Sequence, residues 1–533
     1  NNNERIVYNM IRVGEIKLKI GESENKLKQK IIKKLHINAE DIVEQNIYKR
    51  ALDARKKENI HYVYTIDVKL RNEKKVLERI RAKNVTIAPD MTYYFPQGKS
   101  LLNTRPVVVG FGPAGMFAGL LLAEMGLNPI VLERGEDIDN RTKTVELFWK
   151  GKELNIESNV QFGEGGAGAF SDGKLTTRSK DIRSRKVLEE FVKAGAPPQI
   201  LYDNKPHIGT DRLKMVVKNI RKKIISLGGE VRFCSKVTDL KIAQGSIKGV
   251  IVNDKERINT EAVILATGHS ARDMYELLYK KGICLEQKPF AMGVRIEHKQ
   301  QMINEVQYGE KAEQLPPADY KLTYTTQKGR AVYTFCMCPG GYVVNASSEK
   351  GCIAINGMSE YKRDGVNANS ALLVQVFPQD FGSDEPLAGM YLQRELEQKA
   401  FQKAKGAVPV QLLGDFLNEK CSQNWGEIQS NCTSEVCFCN IAEILPKFIT
   451  EALQEAIPEF GKKLKGFDVP YAVISAVESR SSSPVRIVRD KQIQSVSVKG
   501  LYVVGEGAGY AGGIVSAAID GIIAAEKVFQ IHR

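Results

Sequence analysis

VVVGFGPAGMFAGLLLAEMGLNPIVLERG, residues 107–135, reads as an apolar strand, a glycine-rich turn, a helix of small and apolar residues, and a second apolar strand ending on an acid. Gly110, Gly112 and Gly115 give GxGxxG directly after the first strand. The first glycine permits the tight turn, the second lets backbone approach a pyrophosphate, and the third lets the helix pack on the strand. Pro113 and Ala114 open the helix, whose unpaired N–H groups and positive dipole end face the phosphates. Glu133 follows Gly115 by 18 positions, where a carboxylate accepts from ribose hydroxyls, with Arg134 beside it. Strand, glycines, helix, strand and acid in register specify a dinucleotide-binding βαβ unit.

Two further segments select FAD over NAD. ATGHS ends an apolar strand with small residues, so Ala266, Thr267 and Gly268 can pass close to a bound cofactor. GLYVVGEGAGYAGGIVSAAIDG, residues 500–521, is a strand, an acid and a glycine-rich helix start. From it Gly505, Glu506, Gly512, Gly513 and Ile514 join the cofactor set. Glu506 is placed for ribityl hydroxyls, and the helix N-terminus for the pyrimidine end of a flavin, where it stabilises the reduced ring. FGEGGAGAFSDGKLTTR, residues 162–178, is a third glycine-rich loop contributing Gly165, Gly166, Ala167, Ser171 and Lys174. Val237 opens a strand-like run after the helix Asp211–Leu227 and completes the cofactor-facing set. No second GxGxxG follows a strand between residues 170 and 500, so a dedicated nicotinamide domain is not expected and NAD(P)H would dock only transiently.

Around this core the chain divides into residues 1–95, a small basic β-α-β-β-α domain; 104–284, the first part of a Rossmann-like FAD domain; 285–475, an inserted mixed α+β substrate or cap domain; and 476–533, the closing part of the FAD domain. The fold class is α/β, α+β overall. In the first domain the patterns predict strands at Glu15–Ile20, Ile42–Leu52 and His61–Leu70, and helices at Asn25–Leu35 and Glu73–Ala82. Residues 1–100 hold 22 Lys+Arg against 13 Asp+Glu, most of the net +14 of the 533-residue chain. With Tyr48, Tyr62 and Tyr64 interleaved, that excess fits either a nucleic-acid footprint or the solvated face of a small domain. Nine unpatterned cysteines and no apolar leader read as a cytoplasmic, reduced protein. Two apolar runs, Pro106–Leu132 and Leu501–Ala525, carry Glu124, and Glu506 with Asp520, and are expected to be buried α/β elements rather than membrane spans.

Candidates for chemistry are fewer. Arg480 and Arg486 lie just before the closing segment, where a guanidinium can clamp a substrate carboxylate or serve a structural ion pair. His269 and His298 can act as general acids or as hydrogen-bonded structural histidines, and Tyr333 is equally open. Lys174 near the ring would favour the anionic reduced flavin. Cys336 and Cys338 in FCMCPGG are two apart and share one face of a strand, as a dithiol or as buried free thiols. Cys432, Cys437 and Cys439 lack paired metal-ligand spacing, so no metal is expected.

The run of motifs resembles a bacterial family of FAD-dependent dehydrogenases, the NAD(FAD)-utilizing dehydrogenases, distantly similar to fumarate-reductase-like and tRNA-uridine-modifying flavoproteins. The residues carrying the resemblance include PHIGTDRL, VILATGHSARD, PFAMGVRIEH, YTFCMCPGGYVVNASSE, NGMSEYKRDGVNANSAL and ESRSSSPVRI, together with the glycine-rich segments above, in one order over residues 105–521. The resemblance implies a two-segment FAD domain with an inserted domain over the flavin face, and supplies no substrate. The expectation is an FAD-dependent oxidoreductase or dehydrogenase moving hydride between flavin and a small, carboxylate-bearing substrate, with its electron donor unidentified. The alternatives are an RNA-associated flavoprotein and a flavin-binding redox sensor without turnover.

Overall fold

The computed structural model describes residues 10–80, 83–98 and 102–530. At its centre is a five-stranded parallel sheet in the order Leu501–Val503, Val263–Leu265, Val107–Val109, Ile130–Leu132, Glu230–Arg232. The first four strands are unbroken apolar triplets buried on both faces, the pattern a parallel sheet needs when helices cover each side. The helices Pro113–Glu124 and Ile514–Gln530 pack against each other beneath it, and Gly521 makes that close approach possible, since a Cβ there would lie 2.0 Å from the Ala114 carbonyl oxygen. Residues Ala114–Ala123 are buried on every side, which explains their resemblance to a membrane run. Among the described residues no helix is long and apolar enough to cross a membrane. An antiparallel sheet of Val237–Ala243, Ser246–Val252 and Glu256–Asn259 intervenes in the chain before Val263–Leu265.

Residues 290–478 build a seven-stranded sheet that periodicity alone shows only as mixed short elements. Its order is Thr323–Thr325, Ala331–Cys338, Asn367–Val376, Phe290–Lys299, Val473–Glu478, Val408–Leu412, Val436–Phe438. The two central ten-residue strands, Phe290–Lys299 and Asn367–Val376, pair along their full length and are almost wholly buried. The chain leaves this sheet at Glu478, runs through Arg480–Ser483, and pairs Val485–Ile487 with Leu285–Gln287. That short ribbon joins the two sheets, with the cavity described below between them.

The N-terminal sheet is antiparallel, in the order Ile42–Asp53, His61–Leu70, Ile11–Lys19, Val85–Ile87, with helices Lys26–Leu35 and Glu73–Arg79. Leu27, Ile31 and Leu35 form the buried stripe of the first helix at four-residue spacing. The first strand begins at Ile11 rather than Glu15, and Val85–Ile87 is an additional strand too short to show a period. The expected helix end at Ala82 lies outside the described residues. The edge strand docks on the loop after residue 198: Arg50 N–H donates to the Tyr202 carbonyl (2.7 Å), Asn204 N–H donates to the Arg50 carbonyl (2.9 Å), and the Arg50 guanidinium meets Asp203 (2.7 Å). Arg12 lies over the Tyr48 ring and pairs with Asp67, Tyr62 faces Arg50, and Tyr64 is buried, so all three interleaved tyrosines are engaged within the fold.

Candidate FAD site

One extended cavity of about 650 Å³ runs from the edge of the parallel sheet to the face of the seven-stranded sheet. That is within the usual range for cofactor pockets. At one end lie Gly110–Ala114, Glu133, Arg134 and Val237; in the middle Gly166–Gly168 and Ala266–Ala271; at the other end Lys174, Phe335, Cys336, Asn356, Glu478, Arg480–Ser482, Glu506 and Gly512–Ile514. Every residue read from sequence as cofactor-binding lines it except Gly115 and Gly165.

Those two glycines act one layer behind. A Cβ on Gly115 would sit 1.9 Å from the Gly110 carbonyl oxygen, so only glycine lets the helix start this close to the turn. Gly165 adopts φ 85° and donates its N–H to the Phe111 carbonyl (2.9 Å), tying the third glycine loop to the first. Gly110 itself has φ 100°, and a Cβ there would meet the Ala266 carbonyl oxygen at 2.5 Å. This cradle of bare backbone at the head of the Pro113–Glu124 helix fits a pyrophosphate.

Glu133 holds the loops together. Its carboxylate accepts from Phe111 N–H (2.8 Å), Gly135 N–H (2.9 Å) and Gly163 N–H (2.9 Å), leaving about one of its four lone-pair directions for a ribose hydroxyl. Arg141, fully buried, donates to the carbonyls of Asn159, Glu164 and Val160 at 2.8, 2.6 and 2.9 Å and so shapes the same loop. Burial pushes its pKa down to about 10. Arg134 pairs with Glu157 and Asp273 (2.9 Å) and lies over Phe162, forming a wall of the cavity. At the far end Glu506 lies against Gly512, and burial pushes its carboxyl up to about 7, offset in part by Lys288.

The candidates for chemistry separate. Lys174 lines the cavity, donates to the Met337 carbonyl, and stands 3.6 Å from Asp172, which Arg363 grips at 2.9 and 2.5 Å. Burial works against its charge, but Asp172 and the thiols of Cys336 and Cys338 outweigh it and raise its pKa. Arg480 also lines the cavity, but its fork is closed: Nε and Nη2 donate to Glu397 at 2.9 and 2.8 Å, and Nη1 to Ser348. Glu397 is simultaneously held by Arg272 at 2.8 and 2.9 Å, which makes Arg480 part of a buried ion network rather than a free clamp. Arg486 is displaced from the cavity, with its side chain 42% exposed, near Glu286 (3.8 Å) and Tyr510. His269 lines the cavity with its Nδ1 unpartnered, but burial and then Arg480 and Arg272 lower its pKa to about 3. It is therefore a neutral imidazole at physiological pH and not the imidazolium that an ordinary histidine general acid uses. His298 is buried away from the cavity, bonded through Nε2 to the Phe467 carbonyl (2.8 Å), with its pKa lowered by burial to about 4. Tyr333 packs on Ala291, Ala371 and Leu373, also off the cavity. Glu349, Cys352 and Glu397 converge closely enough to hold a metal, but Arg272, Arg394 and Arg480 occupy the two carboxylates.

Sequence reasoning passed over Asn356 and Glu478. Their only mark was membership of the segments NGMSEYKRDG and ESRSSSP, with nothing local to show that both reach one wall.

The family described as FAD-dependent protein, C-terminal domain-like, matches residues 289–481, the span of the seven-stranded sheet, and the family described as Domain of unknown function (DUF8436) matches residues 10–69. Among solved structures, flavin-dependent brominase Bmp2, as a triple mutant, is 13% identical with a TM-score of 0.38, covering 80% of each chain. A geranylgeranyl bacteriochlorophyll reductase-like protein from Thermoplasma acidophilum is 12% identical with a TM-score of 0.36, covering 80% of this chain and 78% of its own. The amino acid oxidase NikD is 12% identical with a TM-score of 0.35, covering 81% of this chain and 95% of its own. An uncharacterized protein of Clostridium beijerinckii is 50% identical over 526 residues, 98% of each chain. The chain belongs to the family of that protein, a family of FAD-dependent flavoproteins.

Proposed function

We propose that this flavoprotein is an oxidoreductase that passes hydride between bound FAD and a small substrate held against the seven-stranded sheet. The observation that supports this reading is the asymmetry of the cavity. One end is bare backbone suited to phosphates, whereas the other is walled by Lys174, Cys336, Asn356 and Glu478, side chains able to orient a substrate. FAD supplies two-electron acceptance and donation there. The glycine cradle at Gly110–Gly115 would hold the pyrophosphate, and Glu506 with the start of the Ile514–Gln530 helix would hold the ribityl and pyrimidine end. Lys174, kept protonated by Asp172, supplies positive charge to the far end and favours an anionic reduced ring. A substrate carboxylate would meet Lys174 there, because Glu397 already fills the Arg480 fork.

The reductant is proposed to dock transiently, NAD(P)H among the candidates. The test is anaerobic mixing of the FAD-loaded protein with NADH, NADPH and a panel of small hydroxy and amino acids, following bleaching of the flavin's visible band. Bleaching by at least one donor, followed by reoxidation by a small organic acceptor, is expected. A flavin that no donor bleaches and that, once photoreduced, no acceptor reoxidises would count against turnover and for a sensor.

A further inference from the structure

The strand Ala331–Cys338 ends irregularly. Phe335 pairs with Ala371 and Cys338 with Asn369, so three steps on this strand span two on its neighbour. At the bulge Cys336 takes φ 42°, a left-handed conformation that a non-glycine residue adopts only when its surroundings impose it. A regular strand would send Phe335 and Cys336 to opposite faces, whereas here both line the cavity. Cys338 lies fully buried behind them, its Sγ 3.3 Å from the Cys336 carbonyl oxygen.

Two cations converge on this pair. The Lys174 ammonium donates to the carbonyl of Met337, the residue between the cysteines. Arg295, wholly buried, donates to the Cys336 carbonyl at 3.2 Å while paired with Glu478 at 2.9 Å. A hydrogen bond from Cys338, then Lys174 and Arg295, pull the Cys336 thiol down to about 5 against burial. The hydrogen bond to Cys336 and burial keep Cys338 protonated. One thiolate open to a cavity with a second, protonated thiol behind it is the arrangement that thiol–disulfide chemistry requires.

We propose that Cys336 and Cys338 form a redox-active dithiol that exchanges an electron pair with the bound flavin, Cys336 being the sulfur that opens on the cavity and Cys338 the one that closes the disulfide. The inference rests on the FAD reading of the cavity. In the oxidative direction an S–S bond forms between the two Sγ atoms and the Cys338 S–H bond breaks. The electron pair and one proton pass to oxidised flavin; with Cys336 starting as thiolate, the Cys338 proton balances that transfer. In reverse, reduced flavin reopens the disulfide. The dithiol then doubles the electron capacity of the protein, from one two-electron couple to two.

The test is an anaerobic dithionite titration of the full-length, FAD-loaded protein after mild oxidation with diamide and removal of the oxidant. The wild type is expected to take up about four electrons per flavin, and Cys336→Ser and Cys338→Ser about two each, because each couple carries two. Cys352→Ser, at a buried cysteine outside the cavity wall, should keep the wild-type uptake. A second readout needs no turnover: oxidised protein is stripped of flavin, alkylated and digested. The peptide holding both cysteines should then be two hydrogens lighter and unalkylated, a result that stands even where the serine variants fail to fold. Uptake of two electrons by the wild type, or full alkylation of both thiols after oxidation, would overturn the inference while leaving the FAD reading intact. Failure to take up FAD at all would remove both.

Discussion

At the glycine-lined end of the cavity the contacts are backbone: glycines 110, 112 and 166 present bare peptide, the Pro113–Glu124 helix presents its N-terminus, and Glu133 fixes the loops by accepting three N–H groups. At the far end the contacts are mostly side chains, several of them anchored by partners distant in sequence. Arg295 meets Glu478 across 183 positions, Arg363 meets Asp172 across 191, and Arg272 and Arg480 share Glu397 across 125 and 83. A phosphate is recognised by geometry that one short stretch of chain can build, because N–H groups and a helix end come with the backbone. Reactive groups must be charged yet desolvated, and a buried charge persists only beside a compensating one, which the chain has to bring from elsewhere.

The largest effect is expected at Glu397. This fully buried carboxylate is shared by the guanidiniums of Arg272 and Arg480, with partly exposed Glu349 as their second acidic neighbour. Glu397→Ala should cost about 3–5 kcal/mol in a denaturant titration, the usual penalty for stranding buried charge. A loss below about 1 kcal/mol would mean that water already reaches the cluster and that this end is not built by pairing. At the other end Gly115→Ala forces a Cβ to 1.9 Å from the Gly110 oxygen, where backbone cannot yield. It should cost about 3 kcal/mol of stability through overpacking and weaken FAD binding by more than about tenfold. An alanine that leaves FAD affinity unchanged would show that the turn and helix do not need their close approach.

The same contrast governs what could be read from sequence. The glycine segments are local, so nearly all their cavity-lining residues were legible, and only Gly115 and Gly165 proved to sit behind the surface rather than on it. The fork of Arg480 read as either a substrate clamp or a structural ion pair, because nothing near Glu397, in the run LQRELEQKA, distinguishes a buried acid from a solvated helix face. His269 read as either a general acid or a structural histidine, because what lowers its pKa is not local: burial first, then Arg480, some two hundred residues on, and Arg272, on the next helix. The cysteine pair was legible as a motif, but its bulge was not, since register in a seven-stranded sheet is set by neighbours from residues 290–376 and not by the strand itself. Val85–Ile87 was missed for the opposite reason, being three residues long and too brief to show alternation.

Glu506 should give a smaller effect, because it is a buried carboxyl at the far end without a close countercharge. Its carboxyl titrates at about 7 in the folded protein, against roughly 4.3 in an unfolded chain. Between those values the folded state keeps a proton that the unfolded state has lost, so the fold is most secure at acid pH and weakens as pH rises through the window. Flavin-free protein should lose about 2–3 kcal/mol from this group between pH 4.3 and 7, read as the pH dependence of the denaturation midpoint. Glu506→Gln should remove that slope. An identical slope in the variant would mean that the carboxylate is already solvated or paired.

The smallest effect is expected at Arg486, and that smallness carries information. The residue lies six positions from Arg480, and both precede the closing glycine segment, so sequence gives them equal standing. In the fold Arg480 sits on the cavity wall with its fork engaged by Glu397 and Ser348, while Arg486 turns outward on the Leu285–Gln287 ribbon with a loose contact to Glu286 at 3.8 Å. An exposed pair at that distance contributes little, so Arg486→Ala should change stability by less than about 0.5 kcal/mol. FAD affinity and flavin reduction rate should stay within about twofold of wild type, a difference of about 0.4 kcal/mol. Should Arg486→Ala instead slow reduction of the flavin by tenfold or more, the far wall of the cavity would extend past Ser482 to the ribbon. The charged end would then owe its function to a group held only by a loose, exposed contact, against the rule that pairing builds it.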